Sequence, residues 1–398
     1  MARASDSGKL DISGGEVRPR KQAWLIVTGD FVRTGGMDIA NFMLARHLAR
    51  EGHEVHLVAH RVADELIREA GIQFHPVPKP LSSDFLGAPG LNHYGRSWAR
   101  RIAFRGGRVV VNGGNCFWGD VNWAHYIHAA YRPGRPRRLL DKFKLDLRRA
   151  KFLGDERHCF RNARMIISNS IRTKRDLVAH HGIDEGKIKV VYYGADPENL
   201  YPVHLQEKPS LRRALGWKAD SRDKAIFVGA LSDDRKGFDL LIDAWQELCA
   251  DSAWNVDLVV VGGGLGIPKW KARVASNLVL QERVTFMGFR QDVARLLRAT
   301  DVLVAPTRYE AYGLAVHEAL CCGIPALVSS SAGVAERYPD ALQPLLLKEL
   351  SAQHLVDRLR TWRTRSQEWS DAAAKLGDRL RAETWETQME IFLSSTVH

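Results

Sequence analysis

The sequence lacks any apolar run of about 18 residues, the length that a helix needs to cross a bilayer. Its first residues, MARASDSGKLDISGGEVRPRKQ, are polar and contain no apolar stretch of the kind found in a signal peptide. These two absences predict a cytoplasmic protein, with residues 1–20 as a disordered leader.

Cysteine is scarce and follows no recognisable pattern. The five cysteines are odd in number and scattered, with no C-x-x-C pair and no Cys/His spacing suited to zinc. This argues against a disulfide framework and against a zinc site. It predicts buried, reduced thiols.

What the sequence does have is length and positive charge. With 398 residues it is too long for one ordinary core, and two domains are expected. The formal net charge is +12, and the whole excess lies in residues 1–200. A basic half of this kind suits nucleic acid, an anionic membrane surface or an anionic substrate, and charge alone does not choose among them.

Strand and helix patterns alternate along the chain. The first series, AWLIVTGDF, TGGMDIANFMLARHLAREG and EVHLVA, predicts strand, helix and strand. A second series begins at KAIFVGAL and continues through FDLLIDAWQELC, NVDLVVVGGG, VTFMGF, VARLLRAT, DVLVAP and PALVSS. We predict an α/β protein with two Rossmann-like, doubly wound sheets. The N-terminal domain is placed at 21–200, the C-terminal domain at 201–375, and a helix packing back across both at 376–398, with the joint near the prolines of GADPENLYPVHLQEKPS.

The segment TRYEAYGLAVHEALCCGIP places Glu310 and Glu318 eight positions apart on either side of a glycine. It follows the strand DVLVAP, so Glu310 is expected at the carboxyl edge of the sheet, where open parallel sheets bind ligands. A helix is predicted to start near Gly313, so that the amides of Gly313, Leu314 and Ala315 favour an anion such as phosphate. Carboxylates on either side of a phosphate suit the hydroxyl groups of a nucleotide sugar.

Two further groups follow predicted strands. Arg235 and Lys236 lie between KAIFVGAL and a helix, where adjacent cations would neutralise a diphosphate leaving group; a solvated pair of surface charges is the alternative. Gly35 and Gly36 follow the first strand and let a phosphate or a sugar approach the backbone closely. A plain tight turn explains these two glycines equally well.

The segment YRPGRPRRLLDKFKLDLRRAKF contains nine Lys/Arg and two acidic residues and predicts a basic amphipathic helix near the cleft. Its apolar face would consist of Leu139, Leu140, Phe143 and Leu147. One alternative is that this face packs on its own domain; the other is contact of Arg135, Arg137 and Arg138 with an anionic membrane surface or a lipid diphosphate acceptor. A nucleic-acid-binding protein is a third class, but no nucleic-acid-binding motif accompanies the charge, and we expect no nucleic-acid partner.

Four matches in the right order make the chain resemble the retaining family-four glycosyltransferases of the GT-B fold. They are GG…LARHLAREGHEVHLV, VVYYGAD, VGALSDDRKGFDLLIDA and PTRYEAYGLAVHEALCCGIPALVS. The last fits the family's E-x-seven-E signature. The resemblance extends from about residue 24 to the C-terminal helix, and it implies two Rossmann-like domains that face an interdomain cleft.

The resemblance also implies how a donor is bound. Glu310 would bind the hydroxyl groups of the transferred sugar, and Glu318 would bind the ribose hydroxyls. The amides of Gly313, Leu314 and Ala315 would bind the diphosphate, which the glycine pair of the first domain would approach from the other side.

Further roles follow for cations and a histidine. Lys236 and Arg235 would stabilise the leaving phosphate. Many members of the family carry Arg directly after the V-G of VGAL, where this chain has Ala230, and we infer that Arg235 takes part of that role. His128 matches the family histidine near the reacting carbon, and His125 is the lesser candidate.

The implied activity is that of a retaining hexosyltransferase with a UDP- or GDP-linked sugar as donor and a glycan or lipid-linked acceptor. The acceptor hydroxyl would attack the reacting carbon of the sugar on the same face from which the diphosphate leaves. The leaving diphosphate would help to deprotonate that hydroxyl. No D-x-D pair lies in a suitable place, and neither a metal nor a cofactor is expected. We expect a role in bacterial cell-surface polysaccharide or lipopolysaccharide biosynthesis at the inner face of the cell membrane. The alternatives are a small-molecule or natural-product acceptor, or a phosphorylase or epimerase on the same scaffold.

Overall fold

Two parallel sheets, each covered by helices, make up the fold. This computed structural model describes residues 22–134, 139–217, 222–232 and 234–396. Within these residues the first large sheet has seven strands and the second has six, and every pairing in both is parallel. The predicted α/β class with two doubly wound sheets is confirmed.

The first half of the chain forms the seven-stranded sheet and its helices. Its strands are β1 (Ala23–Val27), β3 (Glu54–Ala59), β5 (Ile72–Pro76), β6 (Arg108–Asn112), β7 (Val121–Ala124), β8 (Met165–Ser168) and β9 (Ile188–Val190). A small separate pair consists of β2 (Asp30–Phe31) and β4 (Arg61–Val62). The helices are α1 (Gly36–Arg50), α2 (Asp64–Ile67), α3 (Asp84–Phe104), α4 (Leu139–Asn162) and α5 (Ile171–His181).

The second half forms the six-stranded sheet and the remaining helices. Its strands are β10 (Asp223–Val228), β11 (Val256–Val261), β12 (Val284–Gly288), β13 (Val302–Ala305), β14 (Ala326–Ser329) and β15 (Leu346–Leu347). The helices are α6 (Lys208–Ala214), α7 (Phe238–Cys249), α8 (Ile267–Ala275), α9 (Leu278–Arg283), α10 (Val293–Arg298), α11 (Leu314–Cys321), α12 (Ala352–Thr364), α13 (Ser366–Ala382) and α14 (Trp385–Thr396).

The strand orders place one switch point in each sheet. The first sheet runs β5-β3-β1-β6-β7-β8-β9, so the direction of winding reverses between β1 and β6. The second runs β12-β11-β10-β13-β14-β15, and there it reverses between β10 and β13. Ligands of open α/β sheets bind at the carboxyl ends of the strands beside such a reversal. The loops after β1, β10 and β13 are therefore the places where a functional site is expected.

The apolar runs of the sequence form strands that are buried on both faces. In β1, Trp24 and Ile26 pack into one core, whereas Leu25 and Val27 pack into the core on the opposite face. This is the result of side chains that alternate along a strand covered by helices on both sides. A separate core surrounds the second sheet.

The structure shows the state of the cysteines and whether the described residues form a metal site or a membrane-spanning helix. All five cysteines are buried and free, which confirms the prediction of buried, reduced thiols. Among the described residues, no three His, Cys, Asp or Glu side chains are grouped so as to hold a metal ion. In the same residues, no helix is both long and apolar enough to cross a bilayer.

The chain crosses between the two sheets at two neighbouring positions. Ala195, after β9, forms a parallel bridge with Thr384, which precedes α14. The helix α14 then contributes Trp385, Met389 and Phe392 to a core of the first sheet. The C-terminal helix thus packs on the N-terminal half, while the domain bounds at 200 and 375 stay a prediction.

At this crossing Gly194 has no room for a side chain. A Cβ there would lie 2.3 Å from the backbone nitrogen of Trp385, and backbone cannot yield as a flexible side chain can. We predict that Gly194→Ala lowers the free energy of unfolding by about 1–3 kcal/mol. The measurement is the midpoint of urea unfolding followed by tryptophan fluorescence.

The matched control is Gly154→Ala in α4, where a Cβ would meet nothing within 4 Å. This substitution should be neutral or should stabilise by up to about 1 kcal/mol, because alanine favours a helix over glycine. Equal midpoints for the two variants would contradict the steric argument.

Candidate functional site

The switch point of the second sheet brings together two loops that the sequence singled out. β10 leads into the turn Asp234–Lys236, and β13 leads into the loop that carries Glu310. The Lys236 ammonium group forms an ion pair with the Glu310 carboxylate. Only 20% and 15% of these side chains are exposed. The structure thus places two of the predicted site residues in direct contact.

The helix α11 begins at the predicted place. Gly313 precedes it with a φ of +114°, a left-handed conformation that favours glycine. A Cβ on Gly313 would also lie 3.0 Å from Val334 Cγ1 and 3.3 Å from Glu310 Cγ. Since the first N–H groups of a helix have no acceptor within it, the amides of Leu314 and Ala315 are suited to bind an anion.

The glycine pair of the first sheet faces this helix start. Gly35 has a φ of +96° and precedes α1. A Cβ on Gly36 would lie 3.6 Å from Tyr193 Cε2 and 3.7 Å from Leu314 Cβ. The N-termini of α1 and α11 therefore meet across the cleft, one from each sheet. Because both ends carry the partial positive charge of a helix dipole, together they favour an anion such as phosphate.

Glu318 lies on α11, about one turn after its start. Burial, and secondarily the negative charge of Asp196, raises the pKa of the Glu318 carboxyl group to about 7. Among the described residues, no donor forms a hydrogen bond with this carboxyl group. A hydrogen bond from a ligand hydroxyl therefore contributes more binding free energy at this half-buried carboxyl group, to which none of these residues donates, than it would at an exposed one.

The two candidate histidines have different surroundings. His125 is buried, its Nδ1 lies 2.6 Å from Tyr193 Oη, and burial lowers its pKa to about 3. The side chain of His128 is 44% exposed, and its Nδ1 lies 3.1 Å from Glu156 Oε1. Only the ring of His128 is therefore accessible to a ligand. Nothing in the sequence pointed to Glu156, because an acidic residue in a basic helix is normally predicted to be exposed to solvent.

The turn after β10 also contacts the loop after β7. The Tyr131 hydroxyl and the Gly134 N–H each donate to the Asp234 carboxylate, both at 2.8 Å. The guanidinium carbon of Arg235 lies 5.0 Å from the centre of the Tyr126 ring, a cation–π distance. Sequence reasoning missed these contacts between loops, since no spacing along the chain indicates that the two loops meet.

The helix α5 joins the first sheet to the loop that carries Glu310. The Ser170 hydroxyl donates to the Ala311 carbonyl at 2.6 Å, and both groups are buried. The Glu336 carboxylate accepts two N–H groups at the start of α5, at 2.8 and 3.1 Å. These bonds satisfy donors that the first turn of a helix leaves unpaired. They hold α5 against the second sheet.

The predicted basic helix exists as α4, and part of its apolar face is exposed. The side chains of Phe143 and Leu147 are 69% and 56% exposed. These two residues are therefore mostly exposed, whereas α4 packs on its own domain through another face, which includes Glu156 and Phe160. Arg135, Arg137 and Arg138 lie outside the described residues.

The start of α3 lies against α4 and adds further apolar surface. The ring centres of Phe85 and Phe152 are 6.3 Å apart, and the guanidinium carbon of Arg148 lies 5.7 Å from the centre of the Phe85 ring. Leu81 and Leu86 are 90% and 44% exposed. The segment 81–86 and α4 thus both carry partly exposed apolar side chains, and Arg148 adds a cation. We call these residues together the α3–α4 surface: Leu81, Phe85, Leu86, Phe143, Leu147 and Arg148.

Two family models match the chain. The model described as Glycosyltransferase Family 4 matches residues 34–199, and the model described as Glycosyl transferases group 1 matches residues 222–363. A curated relative, the D-inositol 3-phosphate glycosyltransferase of Mycobacterium tuberculosis, is 27% identical over 371 residues, which cover 83% of this chain and 72% of that protein. The loops described above lie within the matched regions.

Solved structures share the fold. WaaG, a glycosyltransferase involved in lipopolysaccharide biosynthesis, superposes with a TM-score of 0.75 at 21% identity, covering 93% of this chain and 99% of that one. Anabaena Alr3699/HepE in complex with UDP-glucose superposes with a TM-score of 0.69 at 18% identity, covering 94% and 99%. These likenesses extend over both sheets, so they concern the whole architecture rather than one half of it.

Proposed function

Because this chain belongs to family 4 of the glycosyltransferases and has the GT-B fold, we propose that it moves a hexose from a nucleoside-diphosphate sugar to an acceptor hydroxyl with retention of the anomeric configuration. The observation that carries this proposal is the meeting of two helix N-termini in a cleft that also holds Glu310 and Glu318. An anion bound there has carboxyl groups near it that accept hydrogen bonds from hydroxyls. A nucleotide sugar has the matching order of sugar, diphosphate and ribose.

The donor is held by groups from both sheets. The N-termini of α1 and α11 bind the diphosphate, Glu318 accepts hydrogen bonds from the ribose hydroxyls, and Glu310 accepts them from the transferred sugar. The exposed ring of Phe289, after β12, lies beside Gly263, after β11, where a Cβ would be 3.9 Å from Phe289 Cβ. This aromatic face at the carboxyl end of the second sheet offers the nucleotide base a stacking partner.

The chemistry depends on charge that develops on the leaving diphosphate. Lys236 is in contact with Glu310, so a sugar bound to Glu310 has the same ammonium group close to its departing oxygen. Lys236, Arg235 and the two helix N-termini stabilise the negative charge of the leaving group. The leaving oxygen takes the proton of the acceptor hydroxyl on the face from which it departs, and the configuration is therefore retained. His128 lies on the opposite loop and contacts the donor sugar.

The acceptor is proposed to be a glycan or a lipid-linked sugar of the bacterial cell surface, made at the inner face of the membrane. Two observations support this class: the likeness to WaaG and the exposed apolar and cationic α3–α4 surface. A small-molecule acceptor is the second candidate, and the D-inositol 3-phosphate glycosyltransferase among the relatives favours it. Mass spectrometry of products from pooled nucleotide sugars and cell extract distinguishes the two.

The division of labour between the two glutamates is testable with nucleotides. Thermal unfolding with UDP, GDP and ADP should show stabilisation by one of them, of about 2.7 kcal/mol at a concentration 100 times its Kd. Glu318→Gln should weaken that nucleotide about tenfold, because one charge-assisted hydrogen bond is lost. Glu310→Gln should leave nucleotide affinity nearly unchanged and should lower the rate of sugar transfer about 100-fold.

The control is Glu282→Gln, an exposed glutamate on α9 of the same sheet, which should change neither quantity. Equal losses of nucleotide affinity from Glu310→Gln and Glu318→Gln would argue against separate roles. If none of the three nucleoside diphosphates stabilised the protein, the transferase proposal itself would fail.

The raised pKa of Glu318 predicts how donor affinity depends on pH. With a pKa of about 7, this carboxyl group is mostly protonated at pH 5.5 and mostly ionised at pH 8. If the ionised form binds the ribose, the Kd for UDP-glucose should fall by up to about 30-fold between pH 5.5 and pH 8 and then level off. UDP-glucose is the right probe because its diphosphate does not titrate in this range, and isothermal titration calorimetry gives the Kd.

The matched variant for the pH experiment is Glu318→Gln, which cannot ionise. Its affinity for UDP-glucose should be nearly independent of pH over the same range. A wild-type profile with the same slope as that of Glu318→Gln would mean that another group is responsible.

The membrane proposal predicts binding to anionic vesicles. Wild-type protein should co-sediment with phosphatidylethanolamine vesicles that contain phosphatidylglycerol and much less with phosphatidylcholine vesicles. The double variant Phe143→Ser/Leu147→Ser should bind the anionic vesicles at least about tenfold more weakly, because burial of each side chain contributes about 1.5–3 kcal/mol.

Phe104→Ser supplies the control for this experiment. Phe104 is 94% exposed at the far end of α3, about 28 Å along the helix from Phe85. Replacing it should leave vesicle binding unchanged. Unchanged binding of the double variant, or of a variant lacking the charges of Arg135, Arg137 and Arg138, would contradict the membrane proposal.

A further inference from the structure

One carboxylate of α4 holds the loop that carries His128. Glu156 accepts the backbone N–H of His128 at 2.9 Å, the N–H of Ala129 at 3.2 Å, and hydrogen bonds from His128 Nδ1 at 3.1 Å and His181 Nε2 at 3.0 Å. Its side chain is 1% exposed. Four donors around one buried carboxylate form a complete set of partners, so the group is built into the structure rather than left over from a solvated helix face.

The hydrogen bonds keep Glu156 ionised. Burial by itself would raise the pKa of the Glu156 carboxyl group, but the hydrogen bonds from His128 and His181 outweigh it and lower the pKa to about 2. An ionised carboxylate only accepts hydrogen bonds, so each group that contacts it must donate. His128 therefore carries a proton on Nδ1, and its Nε2, on the far side of the ring, is the atom that remains for a ligand.

Two further contacts restrict the His128 ring and its loop. The ring stacks on Phe152, with 5.3 Å between ring centres and 21° between planes. Arg149 donates to the carbonyl groups of His128 at 3.2 Å and Tyr131 at 2.6 Å. Because Arg149, Phe152 and Glu156 all belong to α4, this one helix determines where the histidine lies.

The same carboxylate connects His128 with the loop of Glu310. His181 is the last residue of α5, and the N-cap residue of that helix, Ser170, donates to the carbonyl of Ala311, which directly follows Glu310. In the middle of α5, Asp176 accepts a hydrogen bond from the Tyr309 hydroxyl at 3.1 Å. One end of α5 thus contacts Glu156, and the other end and the middle contact the loop of the second sheet.

We infer that Glu156 is a positioning residue, which fixes the tautomer of His128 and its place relative to Glu310. The inference rests on the proposed function, since it assigns His128 a part in sugar transfer. Glu156 itself touches neither donor nor acceptor. It acts through His128, and this distinguishes it from a residue that only stabilises the fold.

The tautomer is measured on the protein without added ligand, by ¹⁵N NMR of the histidine side chains, with His128 assigned from the spectrum of His128→Ala. Wild-type His128 should be protonated on Nδ1. In Glu156→Gln that preference should be lost, because an amide has one acceptor oxygen and presents N–H groups to the remaining donors. Glu156→Asp keeps the carboxylate and should keep the Nδ1 proton. Protonation of wild-type His128 on Nε2 would overturn the inference whatever the donor is.

Kinetics separate positioning from general stability. The assay is UDP release from UDP-glucose by the full-length protein, at a temperature at which circular dichroism shows every variant to be folded. Glu156→Gln should lower kcat by about 10–100-fold, the range found for carboxylates that orient the histidine ligands of metals, with little change in KM. Glu156→Asp should recover part of that loss.

The decisive comparison is the double-mutant cycle with His128→Ala. If Glu156 acts through His128, Glu156→Gln should cause no further loss of kcat once His128 is alanine. Losses that multiply would overturn the inference and assign Glu156 a structural role. Full activity of His128→Ala would also overturn the inference, but it would not contradict the proposal on donor binding. Absence of any nucleotide binding would instead count against the proposed function, and the NMR result would still decide the tautomer.

Discussion

The buried contact between the Ala311 carbonyl and the start of α5 is the constraint on which the geometry of the cleft depends. Ser170 Oγ donates to this carbonyl at 2.6 Å and Thr173 Oγ1 donates at 3.3 Å. Separating them would leave a buried polar atom without a partner, at a cost of about 1–3 kcal/mol. Because Ala311 directly follows Glu310, a helix of the first sheet and a carboxylate of the second keep one relative position. The start of α11, where the two helix N-termini meet, lies three residues further along the same loop.

The charges in the cleft are arranged so that a diphosphate meets little repulsion. The charge of Glu310 is balanced by Lys236. The pKa of Glu318 is raised to about 7, so at neutral pH this group is only partly ionised. Neither group therefore repels a neighbouring anion as strongly as an unpaired, fully ionised carboxylate would. The partial positive charges of α1 and α11 remain directed at the same place. In the proposed reaction, carboxyl groups that bind hydroxyls can therefore lie next to a bound diphosphate without opposing it strongly.

The sequence predicted the elements well and the contacts between distant elements poorly. FDLLIDAWQELC forms α7 over its whole length, and α11 starts after Gly313 as predicted, because apolar periodicity and glycine are local signals. The family resemblance pointed to Glu310 and Lys236, and the structure shows that they touch. Nothing local indicated Glu156, since burial of an acidic residue in a basic helix depends on donors 25 and 28 residues away along the chain.

Burial of Glu156 suits what the proposed same-face transfer would require of the protein. In the proposed reaction the leaving diphosphate is the base, so the protein has to supply position and charge rather than a reactive group of its own. A buried carboxylate is costly unless every acceptor site is used, and Glu156 has four donors. Because other contacts already hold α4 and α5 in place, the hydrogen bonds of Glu156 fix the loop that carries His128 in one arrangement. A solvated carboxylate, whose partners exchange with water, would leave the His128 ring free to change its orientation.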